Sequence, residues 1–297
     1  MRTGDDLMHA DLVYKQLVEK TLLEGEVKGD RTGTGTVSLF GEQIEFNLKE
    51  GFPLLTTKQL SLRVIFEELR WFLSGSTDLK DLLDNDVHIW TDDAYRFHKE
   101  KGGQLSKEEF VEMVKREGFD MGPIYGKQFR EWGGEWGEQV DQVANVIESL
   151  KNDPDSRRHM ITMYNPTVLK RITLPPCHMG VQFYMSSKGL CCKMIQRSAD
   201  LFLGEPFNIA SYALFTHMIA KMIGTDVYKL IISLGDGHVY LNHIEQTKLQ
   251  LSREPRPMPQ LNIKTVHKNI EDYTFADIKL TGYKPHPAIK GKLSVGL

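Results

Sequence analysis

The segment that ends at Cys177 places a thiol where it could act as a nucleophile. Two prolines, Pro175 and Pro176, immediately precede the cysteine and hold the backbone extended at that point. The chain then enters a predicted strand over residues 181–185, so a small side chain just before it could project into a cleft. A thiolate forms covalent intermediates readily, although an isolated cysteine is more often a buried structural thiol.

The other cysteines, Cys191 and Cys192, are adjacent on a predicted strand over residues 190–197, and we interpret both as structural thiols. Neither this pair nor Cys177 with His178 has the C-x-x-C spacing with which two thiolates share one zinc ion. The sequence therefore predicts no metal site.

Several arginines could together bind a phosphate. Arg157 and Arg158 are consecutive on a turn, Arg197 and Ser198 end a predicted strand, and Arg31 lies in a glycine-containing loop. Each arginine alone is typical of a solvated surface. If the fold brings them together with the serine hydroxyl, their guanidinium groups would form a forked, bidentate anion site.

A further polar residue follows a rigid turn. Asn208 comes two residues after Pro206, at the start of a predicted helix over residues 209–223. Its side-chain amide offers an acceptor and two donors, so it can read the edge of a nucleobase.

The elements that must position these residues are predicted from the spacing of apolar side chains. Strands and helices are mixed without strict βαβ alternation, so we expect an α+β fold around a large sheet. Helices are predicted at 9–24, 60–74, 139–150, 209–223 and 242–252, and strands at 37–48, 159–164, 181–185, 190–197 and 228–234.

The 297 residues contain no internal repeat or low-complexity linker, which favours a single domain over residues 1–297. A polar insert at about 97–120 interrupts it, and the capping-box spacing of Ser106 and Glu109 predicts a short surface helix there. Hydrophobic residues make up 40% and charged residues 26%, which excludes a disordered or collagen-like chain.

The formal charge of −3 gives no support for binding to nucleic acid or to an anionic membrane. We find no run of about 20 apolar residues that could span a bilayer and no apolar stretch typical of an export signal. Three cysteines suit a reducing compartment, so we expect a cytoplasmic protein.

Taken in order, ten stretches between about residues 12 and 290 resemble those of thymidylate synthases. They include Pro176-Cys177-His178 and Gln196-Arg197-Ser198-Ala199-Asp200. The others lie at residues 30–36, 52–58, 68–73, 122–128, 156–158, 207–213, 235–240 and 250–257.

The resemblance implies an α+β fold in which helices pack on a large mixed sheet, and a homodimer formed through that sheet. It also implies methylation of C5 of dUMP to give dTMP, with 5,10-methylenetetrahydrofolate as donor of the carbon and the hydride and no metal. By resemblance Cys177 attacks C6 of the pyrimidine, and we expect Arg197 to lower the pKa of its thiol. Glu68 would relay protons, supported by Tyr125 and His178.

The remaining roles are also carried over by resemblance. Asp200 and Asn208 join the catalytic group, and Arg157 and Arg158 would reach the phosphate bound by the partner subunit. The substrate-binding residues would be Arg31, Arg157, Arg158, Gln196, Arg197, Ser198, Asp200, Asn208, His238 and Tyr240. The folate-binding residues would be Lys58, Ile89, Trp90, Leu174, Asp200, Leu203, Gly204, Phe207 and Leu297.

Some positions depart from the usual family pattern. Thr91-Asp92-Asp93 follows Trp90 where an aromatic wall of the folate pocket is usual, and Glu205 replaces a small apolar residue. A dUMP hydroxymethylase, which uses the same donor but adds water instead of hydride, is therefore the alternative. Asn208 would serve either activity, whereas Trp90, which shields the reacting carbon in synthases, favours the synthase.

Overall fold

A computed structural model describes residues 8–133 and 138–294. Within those ranges the strands are β1 (Glu26–Lys28), β2 (Thr36–Phe40), β3 (Gln43–Asn47), β4 (Met160–Thr162), β5 (His178–Ser186), β6 (Gly189–Asp200), β7 (Val227–Tyr240), β8 (Gln260–Ile263) and β9 (Ile278–Thr281). The α-helices are α1 (Ala10–Glu24), α2 (Leu62–Ser74), α3 (Lys80–Leu83), α4 (Thr91–Glu100), α5 (Lys107–Glu117), α6 (Tyr125–Arg130), α7 (Gln142–Asn152), α8 (Glu205–Ile223) and α9 (Ile244–Leu251).

The main sheet is mixed. Its order is β1-β2-β7-β6-β5-β4, with β3 also paired to the first half of β7, while β8 and β9 form a separate hairpin-like pair. The long strands β6 and β7 run parallel, and every other pair in the sheet is antiparallel. This mixed sheet with packed helices confirms the predicted α+β class.

One face of the sheet carries the core. In β5 and β6 the alternating side chains of Val181, Phe183, Cys192 and Met194 are buried, as period-two alternation requires. Helix α8, apolar around nearly its whole circumference, packs against β6 and β7 on this side. Its burial all round is typical of a helix at the centre of a core.

The register of the central strands gathers polar residues at one end of the sheet. Ser198 lies beside Asp236 and Asp200 beside His238 across the parallel pair. His178, at the start of β5, lies beside Gln196. A bulge follows His178 in β5, and bulges commonly re-aim side chains next to active sites.

Helix α2 brings a second wall to that end of the sheet. Ser61 caps it by accepting from the N–H of Val64, and Gly75 ends it in the left-handed conformation that glycine adopts without strain. Its apolar side, with Phe66 and Leu69, is buried. The same helix carries Glu68 inward.

Two local predictions differ from the structure. The strand predicted over 37–48 is divided into two strands, because Gly41 adopts a φ of +91° between β2 and β3; both strands run in the same direction and keep one register along β7. Helix α4 was not predicted, and it begins before the polar insert at 97–120. The capping box that starts α5 at Ser106 is confirmed.

Candidate active site

A cleft of about 700 Å³ opens where the ends of β6 and β7 meet the loop at 29–32 and the segment that ends at Cys177. Of the sequence-predicted residues it brings together Arg31, Leu174, Cys177, Arg197, Ser198, Asp200, His238 and Tyr240. The volume lies within the range of small-molecule sites, about 300–1,000 Å³.

The proline turn before Cys177 is fixed by Arg197. The Arg197 guanidinium donates to the carbonyl oxygens of Pro175 and Pro176, each at 2.8 Å, and its Nη2 lies 3.9 Å from the Cys177 sulfur. From the other side, the N–H of Cys177 donates to the hydroxyl oxygen of Tyr125 at 2.7 Å. The cysteine is therefore held from both sides with its sulfur beside a fixed positive charge.

The pKa of the Cys177 thiol is nevertheless higher than the sequence suggested. Burial raises its pKa above the ordinary value and is the largest cause, and the negative charge of Asp93 raises the pKa further. Arg197 and Arg31 act in the opposite direction and do not outweigh them. The prediction that Arg197 lowers the thiol pKa is therefore wrong for the net effect, although the direction of its own contribution is as expected.

Glu68 is a half-buried residue of α2. Its Oε1 accepts from the indole Nε1 of Trp90 at 2.7 Å, and burial raises its pKa to about 7. Trp90 in turn packs edge-on against Tyr125. A carboxyl with a pKa close to neutral pH suits proton transfer in either direction.

His178 is neutral at neutral pH because burial lowers its pKa to about 4. Its Nδ1 lies 3.0 Å from the hydroxyl oxygen of Tyr212, and the side chain of Asn208 also hydrogen-bonds to it. The imidazole thus links two residues of α8 to the start of β5.

Asp200 ends β6 and shapes the start of α8. Its Oδ1 accepts from the N–H groups of Phe202 and Leu203 at 2.9 and 3.0 Å. Leu203, Gly204 and Phe207 follow as half-buried residues at the helix start. The predicted folate residues of this stretch therefore lie close to Asp200 along the chain, whereas only Asp200 of this group is among the residues that line the cleft.

Several predicted residues lie elsewhere. Arg157 and Arg158 are exposed on the turn before β4 and do not line the cleft. Lys58 is buried with its ammonium 4.0 Å from the centre of the Phe202 ring, where it donates to the Phe202 carbonyl, and burial lowers its pKa to about 7. Ile89 is exposed, and Leu297 lies outside the described residues.

Three acidic residues of the cleft, Asp30, Asp93 and Asp236, were not predicted as site residues. Asp236 accepts from Ser38 at 2.8 Å and lies 3.0 Å from His238 Nδ1. The strand alternation of residues 236, 238 and 240 was the available signal, because alternate residues share a face. Asp93, in the first turn of α4, also lines the cleft, with its carboxyl 3.3 Å from Arg96.

Among the described residues, no helix is long and apolar enough to cross a membrane. The same ranges contain no group of three or more His, Cys, Asp or Glu side chains placed to hold a metal ion.

The family model for thymidylate synthase matches residues 12–295 of the 297-residue chain. The match spans every element that lines the cleft, from the loop at 29–32 to the segment at 293–294. Together with the mixed sheet and the cleft around Cys177, it establishes that this chain belongs to the thymidylate synthase family.

Proposed function

We propose that the protein methylates C5 of dUMP to give dTMP, with 5,10-methylenetetrahydrofolate as co-substrate. The observation that carries the proposal is the meeting, in one cleft, of the Cys177 thiol with two arginines and the residues of β7. Membership of the family supports one-carbon transfer of this kind.

The cleft offers a separate group for each part of the nucleotide. Arg31, Arg197 and the Ser198 hydroxyl suit the phosphate, because guanidinium groups bind phosphate oxygens in a bidentate manner. His238 and Tyr240, on the same face of β7, would hold the deoxyribose. This arrangement would leave the base beside Cys177.

The chemistry starts with addition of the Cys177 sulfur to C6, which makes C5 nucleophilic. Because the pKa of the thiol is raised, its proton must pass to water or to a carboxylate of the cleft before the sulfur can add to C6. Glu68, whose pKa is about 7, can exchange protons with the base through water, and Trp90 holds its carboxyl in place. Asn208 would hold the uracil edge.

The residues around the cleft fit a reduced folate. Leu174 and Asp200 line the cleft, and Trp90 packs against Tyr125, whose hydroxyl oxygen accepts from the N–H of Cys177. The folate would supply the one-carbon unit and the hydride. Purified protein given dUMP and 5,10-methylenetetrahydrofolate should yield dTMP and dihydrofolate, and mass spectrometry of the nucleotide tests this directly.

Hydroxymethylation of dUMP is the second candidate, because Asp93 places a carboxyl in the cleft. Burial raises the pKa of Asp93, and the negative charge of the ionised Asp93 raises the pKa of the Cys177 thiol. A carboxylate there could orient a water molecule toward the reacting carbon and accept its proton, giving tetrahydrofolate and hydroxymethyl-dUMP.

The two candidates differ in their response to Asp93→Asn. If water addition is the activity, the variant should lose the hydroxymethyl product, whereas Asp92→Asn, which removes a surface ion pair with Lys107, should not. A wild-type product that carries a methyl group and no added oxygen would rule this candidate out.

We further propose a homodimer of single-domain subunits formed through the outer face of the sheet. Tyr184, Ile195 and Met160 are exposed on β5, β6 and β4, an apolar surface of the kind that marks interfaces. Arg157 and Arg158 lie on the turn that leads into β4, so they could reach the phosphate site of the other subunit.

A further inference from the structure

Glu205 is a fully buried acid for which the reaction described above has no use. It is the first residue of α8, between Gly204 and Pro206, and its exposed fraction is 0%. Neither carboxyl oxygen makes a hydrogen bond of good geometry with the described residues, although the side chains of Gln196 and Asn208 lie near enough to affect its pKa. Unpaired buried carboxyl groups are unfavourable and call for an explanation.

The carboxyl of Glu205 faces two side-chain amides, those of Gln196 on β6 and of Asn208 one turn further along α8. Gln196 donates from Nε2 to the Ser198 carbonyl at 3.0 Å, while its Oε1 is buried and without a partner among the described residues. A buried acceptor and a buried acid thus lie side by side.

The Glu205 carboxyl carries the proton with which it can form a hydrogen bond to Gln196 Oε1. Burial raises the pKa of Glu205 to about 8, so the carboxyl is mostly neutral at neutral pH. A neutral carboxyl has one O–H donor and one carbonyl acceptor. It can therefore donate to Gln196 Oε1 and accept from the Asn208 amide nitrogen at the same time.

We infer that Glu205 is a positioning residue that fixes the amide orientation of Asn208 and so selects uracil over cytosine. The inference rests on the proposed function, in which Asn208 reads the base. With its nitrogen directed to Glu205, Asn208 turns Oδ1 toward the base, where it can accept from N3–H of uracil. Cytosine has no hydrogen on N3, so its N3 and Asn208 Oδ1 would be two acceptors that face each other without a proton between them.

Two variants of nearly equal size separate this role from simple packing. Glu205→Gln keeps one donor group and one acceptor, whereas Glu205→Leu keeps the volume and removes both. Dissociation constants for dUMP and dCMP would be measured by calorimetry on the full chain, alongside kcat and KM for each nucleotide. Thermal unfolding would establish that each variant is folded.

We expect the Gln variant to retain the wild-type preference for dUMP. In the Leu variant the dUMP-to-dCMP affinity ratio should fall by at least about tenfold, because a polar group left against the wrong partner is costly, and the change should appear in KM more than in kcat. The inference would be overturned if Glu205→Leu kept the wild-type dUMP-to-dCMP affinity ratio, or if Glu205→Gln lowered that ratio as much as Glu205→Leu does.

Infrared difference spectra with and without dUMP provide a test that does not need the Leu variant to fold. The wild-type protein should show the carbonyl band of a neutral carboxyl that moves on binding and is missing in Glu205→Gln. Spectra without such a band would contradict the inference. Absence of any product from dUMP, with the binding ratios as expected, would instead refute only the proposed reaction.

Discussion

At the scale of single residues, Cys177 is held between opposing influences on its proton. Arg197 and Arg31 favour the thiolate, while burial and Asp93 favour the thiol, and the thiol form prevails. Glu68, by contrast, has a pKa near neutrality. Burial is thus the main cause of the pKa shifts of Cys177 and Glu68, and sequence patterns reveal burial of this kind poorly.

Replacement of Cys177 by serine should remove turnover and spare binding. The hydroxyl of serine is much less ionised than a thiol, so we expect kcat to fall at least about 1,000-fold. Binding of dUMP should persist because Arg31 and Arg197 remain. Steady-state kinetics and calorimetry check both expectations, with Cys191→Ser, half-buried elsewhere on β6, as the matched control. Wild-type turnover in Cys177→Ser would reject the nucleophile assignment.

The Glu68 carboxyl should make stability depend on pH. Its pKa of about 7 in the folded protein exceeds the ordinary value of 4.5, so its favourable contribution is full below pH 4.5 and is lost as the pH rises through about 7. The difference between those values corresponds to about 3 kcal/mol. Glu68→Gln should therefore unfold at higher urea concentration than wild type at pH 8, with little advantage at pH 4.

A matched control for that measurement is Glu67→Gln. The adjacent carboxylate pairs with Arg70 at 2.9 Å, so its removal should cost a little stability instead of adding any. If the advantage of Glu68→Gln over wild type in the free energy of unfolding were the same at pH 4 and pH 8, the Glu68 carboxyl would not be the source of the pH dependence.

At the scale of elements, local sequence signals predicted most of the long helices, whereas the long-range pairing of strands could not be predicted. The helices α1, α2, α7 and α8 were predictable because apolar side chains repeat with helical spacing along one segment. The pairing of β3 with β7 was not, because it joins residues nearly 190 positions apart in the sequence.

The same distinction holds for the candidate site. Motif resemblance indicated Cys177, Arg197 and His238, whereas the place of Asp93 in the cleft depends on the packing of α4 against the segment before Cys177, where Arg96 donates to the Thr173 carbonyl. That packing is invisible in a segment whose composition is mostly polar. Buried aromatic contacts, such as Phe110 against Tyr95 and Phe119, hold the insert in place.

The insert helix α5 offers a prediction at this scale. Ser106 and Glu109 form a reciprocal capping box at its start. Ser106→Ala should lower the free energy of unfolding by about 1 kcal/mol, while Ser106→Asp, also a good cap, should restore most of it. Urea unfolding measures both. No loss in the alanine variant would show that packing alone holds this helix.

At the scale of the whole molecule, the position of Arg157 and Arg158 requires a partner if they are to bind substrate. They are exposed on the turn before β4, outside the cleft of their own chain. The apolar outer face of the sheet gives a route by which a second subunit could bring its own pair to that cleft. Shared sites of this kind follow from two-fold symmetry.

Mixing defective subunits tests the shared site. Loss of both arginines should raise the dUMP dissociation constant at least about 100-fold, since each charge-assisted contact contributes about 1.5–3 kcal/mol. A chain with Arg157→Ala and Arg158→Ala, mixed with a Cys177→Ser chain, should recover activity. The heterodimer has one intact site, so about half the wild-type specific activity is expected.

Subunit exchange must be verified, for example with two affinity tags, before activity is compared. Purified heterodimers as inactive as their parents would contradict the shared site. Heterodimers of the Arg157→Ala/Arg158→Ala chain with wild type serve as a control, because they give the activity of a dimer in which only one site lacks its arginines.

The protonated resting state of Cys177 also bears on chemical durability. Peroxides and alkylating agents react with thiolates, and buried thiols of raised pKa are comparatively inert. Because the thiol form prevails in the empty cleft, we expect slow oxidation of Cys177 even when no nucleotide covers it. The protein should therefore withstand periods without substrate, when the sulfur would otherwise be most open to damage.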